Sequence, residues 1–235
     1  MMRHDLRRCG LPESMRWLLA LALMTLCVGR AVAQAPIPGY PDLVTAYDPR
    51  EVAMLPWYCR HTQLFRDRVP GGKDPAGMSL AQERLGVGYL HMHHYCWGLM
   101  KLTRAKVLAK DGTARSFYYA SAIDEFNYVI EHVPGEYFLL PEILTRKGEA
   151  FAGLGRSALA VAEFEKAIEL RPEYWPPYGH LADLHIANGE FGKAREWLDR
   201  GLKQAPDAAG LRRRLQELDR RESGQARERP AKQPR

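Results

Sequence analysis

The sequence predicts an all-α protein built from helical hairpins stacked in a row. The main observation is a repeat, because the segment Leu144–Pro172 recurs 34 residues later as Tyr178–Pro206, and the turn residue Gly155 recurs as Gly189. Apolar residues in both segments also recur at steps of three and four, as they do on one face of an α-helix. A fixed period of this size is typical of repeat architectures.

The repeated residues have clear physical roles. Small residues such as Gly148, Ala160 and Ala182 allow paired helices to approach closely, and larger apolar residues fill the space between them. Gly155 and Gly189 stand where a tight turn requires a positive φ. Each segment ends at a proline, which cannot continue the preceding helix. The pattern predicts two regular hairpins, one over residues 141–174 and one over 175–206.

Both segments resemble the tetratricopeptide repeat. The residues that stand where this family keeps its signature residues are Leu144, Gly148, Phe151, Ala160, Phe164, Ala167 and Pro172 in the first, and Tyr178, Leu181, Ala182, Ala194, Leu198 and Pro206 in the second. Lys147, His185 and Gly201 depart from the pattern and indicate slightly loosened packing. The resemblance implies tetratricopeptide-type hairpins in a short right-handed solenoid, which is an architecture that binds proteins and lacks a reactive centre.

Residues 1–33 have the pattern of a secretory signal peptide. Arginines precede the apolar run Trp17–Val28, and Ala31-Val32-Ala33 supplies a small-x-small cleavage pattern. Met15 is an alternative start that leaves a shorter signal. The Pro-rich stretch 34–48 is expected to be an extended leader. The sequence therefore predicts an exported chain, periplasmic or secreted, with no membrane span after the signal is removed.

Two cysteines remain after removal of the signal, Cys59 and Cys96. In an oxidising compartment they are expected to form one disulfide that closes a long loop. The alternative is a pair of buried free thiols.

The positive net charge of the chain comes from its two ends. Residues 1–33 carry five basic and two acidic groups, and residues 212–235 carry nine and four. The body, 34–211, holds 20 basic and 22 acidic groups and has a net charge of −2. A nucleic-acid-binding face on the folded body is therefore not expected.

The stretch 49–140 is predicted to be an irregular helical region. It begins at Asp48-Pro49, which is a good helix start, and Pro70–Ser79 is expected to be a loop because of its Gly and Pro content. One helix is predicted over Leu80–Leu108 and another over Ala114–Val133. The end of the second helix and the proline after it resemble the second helix of a tetratricopeptide unit, with Ala122, Phe126, Val129 and Pro134 at family spacing, which indicates a degenerate repeat with an insertion.

The C-terminal end is expected to close the stack. Residues 207–218 place Leu211, Leu215 and Leu218 on one face and arginines opposite, as in a capping helix. Residues 219–235 are charged, contain proline and lack aromatic residues, so the sequence predicts a disordered basic tail.

The segment His91–Trp97 is the most unusual local sequence, with three histidines in four positions. His91 and His94 lie three apart on a helix and are candidate ligands for Cu or Zn. The competing interpretation is a helix with buried Met92 and Cys96 and no metal. We therefore expect the protein to bind no cofactor. The alternative is a protein that handles a metal or cofactor through this segment.

The resemblance also implies a partner-binding groove, lined by the first helix of each hairpin. Carried over by position, its residues are Glu142, Thr145, Glu149 and Ala152 in one unit and Pro176, Gly179, Asp183 and Ile186 in the next. These residues predict a mildly acidic groove. Trp175, which joins the units, is a further candidate contact or a packing residue. No phosphate loop, nucleophile elbow or carboxylate pair with a defined setting is present, so the sequence predicts an exported adaptor that binds an envelope protein, rather than an enzyme.

Overall fold

The structure, a computed structural model, describes residues 47–228 and the side chains of residues 47–223. The predicted signal peptide, almost all of the predicted leader and the last seven residues of the predicted tail lie outside the described residues. All described residues fall within one compact unit.

The described part of the chain contains only helices and the turns between them. The α-helices are α1 (Pro49–Ala53), α2 (Pro75–Leu85), α3 (Met92–Thr103), α4 (Gly112–His132), α5 (Leu140–Gly153), α6 (Ser157–Leu170), α7 (Pro176–Ala187), α8 (Phe191–Gln204) and α9 (Ala209–Glu228). Two 3-10 helices, Trp57–His61 and Gly86–Gly88, flank α2, and a π-helical turn, Arg104–Leu108, follows α3.

Consecutive helices pair into three hairpins, which are α3 with α4, α5 with α6, and α7 with α8. The second helix of each hairpin packs on the first helix of the next, and the first helices also contact one another in order. Helix α9 packs against α7 and α8 and ends the row. This arrangement confirms the predicted fold class of stacked tetratricopeptide-type hairpins.

The two predicted inter-helix turns depend on glycine as expected. Gly155 and Gly189, between the helices of the second and third hairpins, have φ values of 72° and 74°. Glycine adopts this left-handed conformation without the steric penalty that a side chain imposes. The period of 34 residues is thus visible in the backbone as well as in the sequence.

The N-terminal region differs from the prediction at α2. The helix starts at Pro75, inside the segment predicted as a loop, because Asp74 caps it by accepting a hydrogen bond from the Gly77 amide at 2.7 Å. The predicted continuous helix over Leu80–Leu108 is also interrupted between Leu85 and Met92. Gly86, with a φ of 52°, ends α2.

The disulfide between Cys59 and Cys96 is formed, which confirms the predicted pairing. It joins the first 3-10 helix to α3, and both cysteines are fully buried. Tyr47 adds to this junction, since its ring stacks on Phe65 and its hydroxyl accepts a hydrogen bond from Trp97 Nε1 at 2.8 Å.

The C-terminal end differs from the prediction of a disordered tail from residue 219. Helix α9 passes Leu218 without a break and continues to Glu228, the last residue that the structure describes. The charged residues of this segment lie three or four positions apart on the helix, so that Glu217 pairs with Arg220 and Arg221. Asp219 and Glu222 also reach across to Arg195 of α8. Such pairs, each weak alone, support a helix that is already nucleated by buried Leu211 and Leu218.

Candidate functional site: the first-helix face

Polar side chains from all three hairpins meet on one side of the stack. We call this side the first-helix face and define it by Tyr95, Lys106, Glu142, Arg146, Glu149 and His180. Tyr95 belongs to α3, Lys106 to the π-helical turn, His180 to α7, and the other three to α5. The contacts among them link neighbouring hairpins, so this face depends on the stacking.

Glu149 is the centre of the first-helix face. Its side chain is only 5% exposed and accepts from Arg146 Nη1 at 2.7 Å, from Lys106 Nζ and from His180 Nε2 at 3.3 Å. Burial opposes its ionisation, yet the hydrogen bond from His180 and the charges of Arg146 and Lys106 hold the pKa of the Glu149 carboxyl well below its ordinary value. Glu149 is therefore a structural anion that fixes three cationic or polar groups.

A second, more accessible carboxylate, Glu142, lies two helical turns earlier on α5. The Tyr95 hydroxyl donates to Glu142 Oε1 at 2.7 Å, and Arg146 lies 3.8 Å from the same oxygen. Burial opposes the charged form of Arg146, but Glu149 and nearby groups outweigh it and raise the pKa of the guanidinium. Arg146 therefore stays protonated between two carboxylates.

An open cavity of about 450 Å³ lies beside Glu142 and Arg146. The segment Met54–Pro56 forms one wall and α3 forms another, so the lining combines apolar surface with groups of both charges. The lining residues are Met54, Leu55, Pro56, Leu99, Leu102, Thr103, Lys106, Glu142 and Arg146. We call it the α3–α5 cavity.

The predicted groove residues are distributed differently. Glu142 and Glu149 lie on the first-helix face, but Thr145 is buried and its hydroxyl donates to the Pro141 carbonyl. Ile186 and Trp175 are half-buried and pack against the hydrophobic core. These three residues are packing residues here.

The C-terminal helix covers the α7 part of the predicted groove. Arg214 of α9 donates to both carboxylate oxygens of Asp183 at 3.0–3.1 Å, and its guanidinium lies against Gly179. The indole of Trp175 fits against Gly210 of the same helix. The accessible part of the first-helix face is therefore displaced toward α3 and α5.

Basic side chains accompany the carboxylates of the predicted groove. Lys106 and Arg146 pair with Glu149, and Arg214 pairs with Asp183. Sequence reasoning missed Lys106 and Tyr95, which lie in the degenerate hairpin. The signal for Arg146 was present, since it stands four residues after Glu142 and three before Glu149.

The histidine segment forms an aromatic cluster in which the two proposed metal ligands have other contacts. His94 Nδ1 lies 2.5 Å from Glu125 Oε2, and its ring stacks on Tyr128. The His91 ring lies 5.0 Å from that of His132 on α4. Within residues 47–223, no group of three or more His, Cys, Asp or Glu side chains is arranged to hold a metal ion.

Comparison with known proteins supports the same fold. The family model described as tetratricopeptide repeat matches residues 151–215, from the end of α5 into α9. The match supports tetratricopeptide-type repeats in this part of the chain. No curated protein and no solved structure matches the chain.

Tetratricopeptide repeats are protein-interaction modules and are typically non-enzymatic, so the family match indicates a role in protein–protein interaction. None of the helices in the described residues has the length and apolar character needed to cross a membrane.

Proposed function

We propose that the chain is an exported adaptor that binds a partner envelope protein through the α3–α5 cavity. The observation that carries this proposal is the cavity itself, which is open, partly apolar and bordered by Glu142, Arg146 and Lys106. Protein-binding sites combine apolar anchors with polar groups that set orientation. The family match supports a protein as the ligand.

The ion pairs of the first-helix face support a pre-organised site. Glu149 holds Arg146 and Lys106 in position, so the two side chains lose less conformational freedom when a partner docks. Met54 is 61% exposed at the rim of the same cavity, although it is a large apolar residue. A partner that covers Met54 removes apolar surface from water and gains affinity from that burial.

Binding is tested with variants of the cavity wall. Mature chain carrying Met54→Asp or Thr103→Tyr is compared with wild type in capture from an envelope extract, and the captured protein is then purified and titrated by calorimetry. Both changes should weaken binding at least tenfold, because one introduces a charge and the other fills the cavity. The matched control is Leu159→Asp, at an exposed apolar position on α6. Equal affinity of all four proteins would remove the cavity from the proposal.

Export is supported by the disulfide between Cys59 and Cys96, since structural disulfides persist mainly in oxidising compartments. Cell fractionation, followed by N-terminal sequencing of the purified chain, tests this part separately. The expected result is a periplasmic or secreted chain that begins near Gln34. A cytoplasmic chain with an intact N-terminus would contradict export and leave the cavity proposal untouched.

A further inference from the structure

A row of apolar hollows lies along a different edge of the molecule, where the loops between helices meet. Three cavities of about 490, 350 and 300 Å³ adjoin one another. The first and second share Arg84, Leu85 and Phe138, and the second and third share Glu136 and Tyr137. We call this row the edge furrow. It shares no lining residue with the α3–α5 cavity.

The edge furrow exposes large apolar side chains. Trp57 is 48% and Phe138 44% exposed, and Leu80, Val87 and Leu170 are exposed as well. All five line the three cavities. Scattered exposed apolar residues are ordinary on a protein surface, but a contiguous set that lines adjoining hollows is typical of an interaction site.

The charges along the edge furrow have an order. Arg84 is the only charged residue that lines the first cavity, and it forms no ion pair within the described residues. The second cavity adds Glu83 and Glu136, and the third brings Arg171 beside Leu170. A ligand that matches this order carries a negative group at the first cavity and a positive group at the second.

We propose that the edge furrow binds an extended peptide segment of a partner protein. The segment places a bulky apolar side chain beside Trp57 and Phe138, a carboxylate at Arg84, and a basic side chain between Glu83 and Glu136. A fatty acid could place its chain and carboxylate in the first cavity, but it has no positive group to pair with Glu83 and Glu136 in the second cavity. An extended chain rises about 3.3 Å per residue, so a few residues suffice to pass from one cavity to the next.

The affinity of this surface comes from its apolar walls, and the charges set the direction of the peptide. Burial of the exposed parts of Trp57 and Phe138 gives the main favourable contribution. Since Arg84 is surrounded by apolar lining residues, a carboxylate bound there is partly shielded from water, which strengthens their attraction. Reversing the peptide would place its carboxylate against Glu83 and Glu136.

The test uses a random dodecapeptide display library selected on immobilised mature chain. Enriched peptides are synthesised with a fluorescent label and titrated by anisotropy. We expect them to share an apolar residue beside an acidic one, followed by a basic one. Phe138→Asp and Arg84→Glu should each weaken binding at least tenfold, and the double variant Glu83→Lys/Glu136→Lys should weaken it severalfold.

Two variants serve as controls for folding and charge. Leu159→Asp introduces a charge at an exposed apolar site on α6, and Arg156→Glu reverses an exposed arginine outside the edge furrow. Both should bind as wild type does, and circular dichroism melts should show that all variants fold. Absence of an enriched sequence pattern would overturn the proposal, as would equal binding by Arg84→Glu.

The edge furrow could also hold a second copy of the chain. Sedimentation velocity of wild type and Phe138→Asp distinguishes this outcome. A dimer that Phe138→Asp dissociates would overturn the peptide proposal, whereas a monomer in both cases supports it. Met54 does not line the edge furrow, so Met54→Asp should leave peptide binding there unchanged. The proposal for the α3–α5 cavity and the proposal for the edge furrow can therefore be rejected independently.

Discussion

The ring of Phe126 on α4 occupies the space that a Cβ atom on Gly98 of α3 would need, with the nearest ring atom 2.4 Å from that position. The same relationship holds in the next hairpin, where the Phe164 ring lies 2.5 Å from a Cβ on Gly148. Two different sequences therefore use one contact, in which glycine allows the two helices of a hairpin to approach across an aromatic ring.

Replacing Gly98 with alanine should destabilise the protein. Phe126 is fully buried and cannot move without disturbing its neighbours, so the added methyl group overpacks the hairpin. We expect a loss of about 1–3 kcal/mol in the free energy of unfolding, which outweighs the helix propensity that alanine gains over glycine. Urea denaturation measured by far-ultraviolet circular dichroism checks this.

The control for that prediction is Gly192→Ala on α8. A Cβ at Gly192 meets no atom within 4 Å, so alanine there should be neutral or slightly stabilising. Destabilisation of the same size by Gly98→Ala and Gly192→Ala would show that the contact with Phe126 has no special role.

The regular hairpins could be predicted from the sequence more completely than the first hairpin, which contains Gly98. The second and third hairpins could be predicted because Gly148, Ala182 and their partners recur at a fixed period. Phe126 was recognised at its family position, but it follows Gly98 by 28 residues, whereas Phe164 follows Gly148 by 16. The added length lies around the π-helical turn and the start of α4, so a period search cannot connect the two halves of the first hairpin.

The site was less predictable, because its character depends on contacts between distant elements. Lys106 reaches Glu149 from another hairpin, and Arg214 reaches Asp183 from the last helix. Helical spacing places a residue on a face of its own helix but does not identify what covers that face. For this reason the sequence did not predict the ion pairs that Lys106 and Arg214 form with the groove carboxylates.

Removal of the disulfide should strongly destabilise the N-terminal region. The loop from Cys59 to Cys96 spans 37 positions, for which the chain-entropy estimate is about 4 kcal/mol. The double variant Cys59→Ala/Cys96→Ala should show a correspondingly lower midpoint in urea. Reductant should lower the midpoint of wild type and leave the double variant unchanged. Free thiols detected by mass spectrometry in the untreated exported chain would contradict the pairing.

Neutralising Glu149 should destabilise the helical stack, because Lys106 and Arg146 lose the carboxylate with which they pair. Glu149→Gln leaves Lys106 without its anion and Arg146 with only the more distant Glu142, and removal of one partner from a buried ion pair is costly. Because both cations are partly exposed, we expect a loss of about 2 kcal/mol at pH 7, below the range for fully buried pairs.

The matched control is Glu217→Gln, which removes two exposed ion pairs on α9 and should change stability by less than about 0.5 kcal/mol. The pH dependence provides a second check. Since the pKa of Glu149 is lowered by folding, its contribution is present above the ordinary carboxyl pKa and declines as the pH falls below it. The gap between wild type and Glu149→Gln should therefore narrow in acid, and a constant gap would contradict this role.

His93 should make the protein less stable in mild acid. Burial, with a smaller effect of the neighbouring His94, lowers the pKa of the His93 imidazole from 6.5 to about 4. The unfolded chain therefore binds a proton at this position below about pH 6.5, while the folded chain does not bind it until about pH 4. Stability should fall across this window as the pH decreases, by about 3 kcal/mol in total.

The His93 contribution is measured by comparing wild type, His93→Gln and His132→Gln in urea at several pH values between 7 and 4. His93→Gln should show a flatter dependence of unfolding free energy on pH, with a slope smaller by up to about one proton. His132→Gln removes an exposed imidazole on α4 and is the control for the loss of a histidine outside the buried site. An unchanged slope in His93→Gln would show that the imidazole is protonated equally in both states, and it would assign the acid sensitivity to other groups.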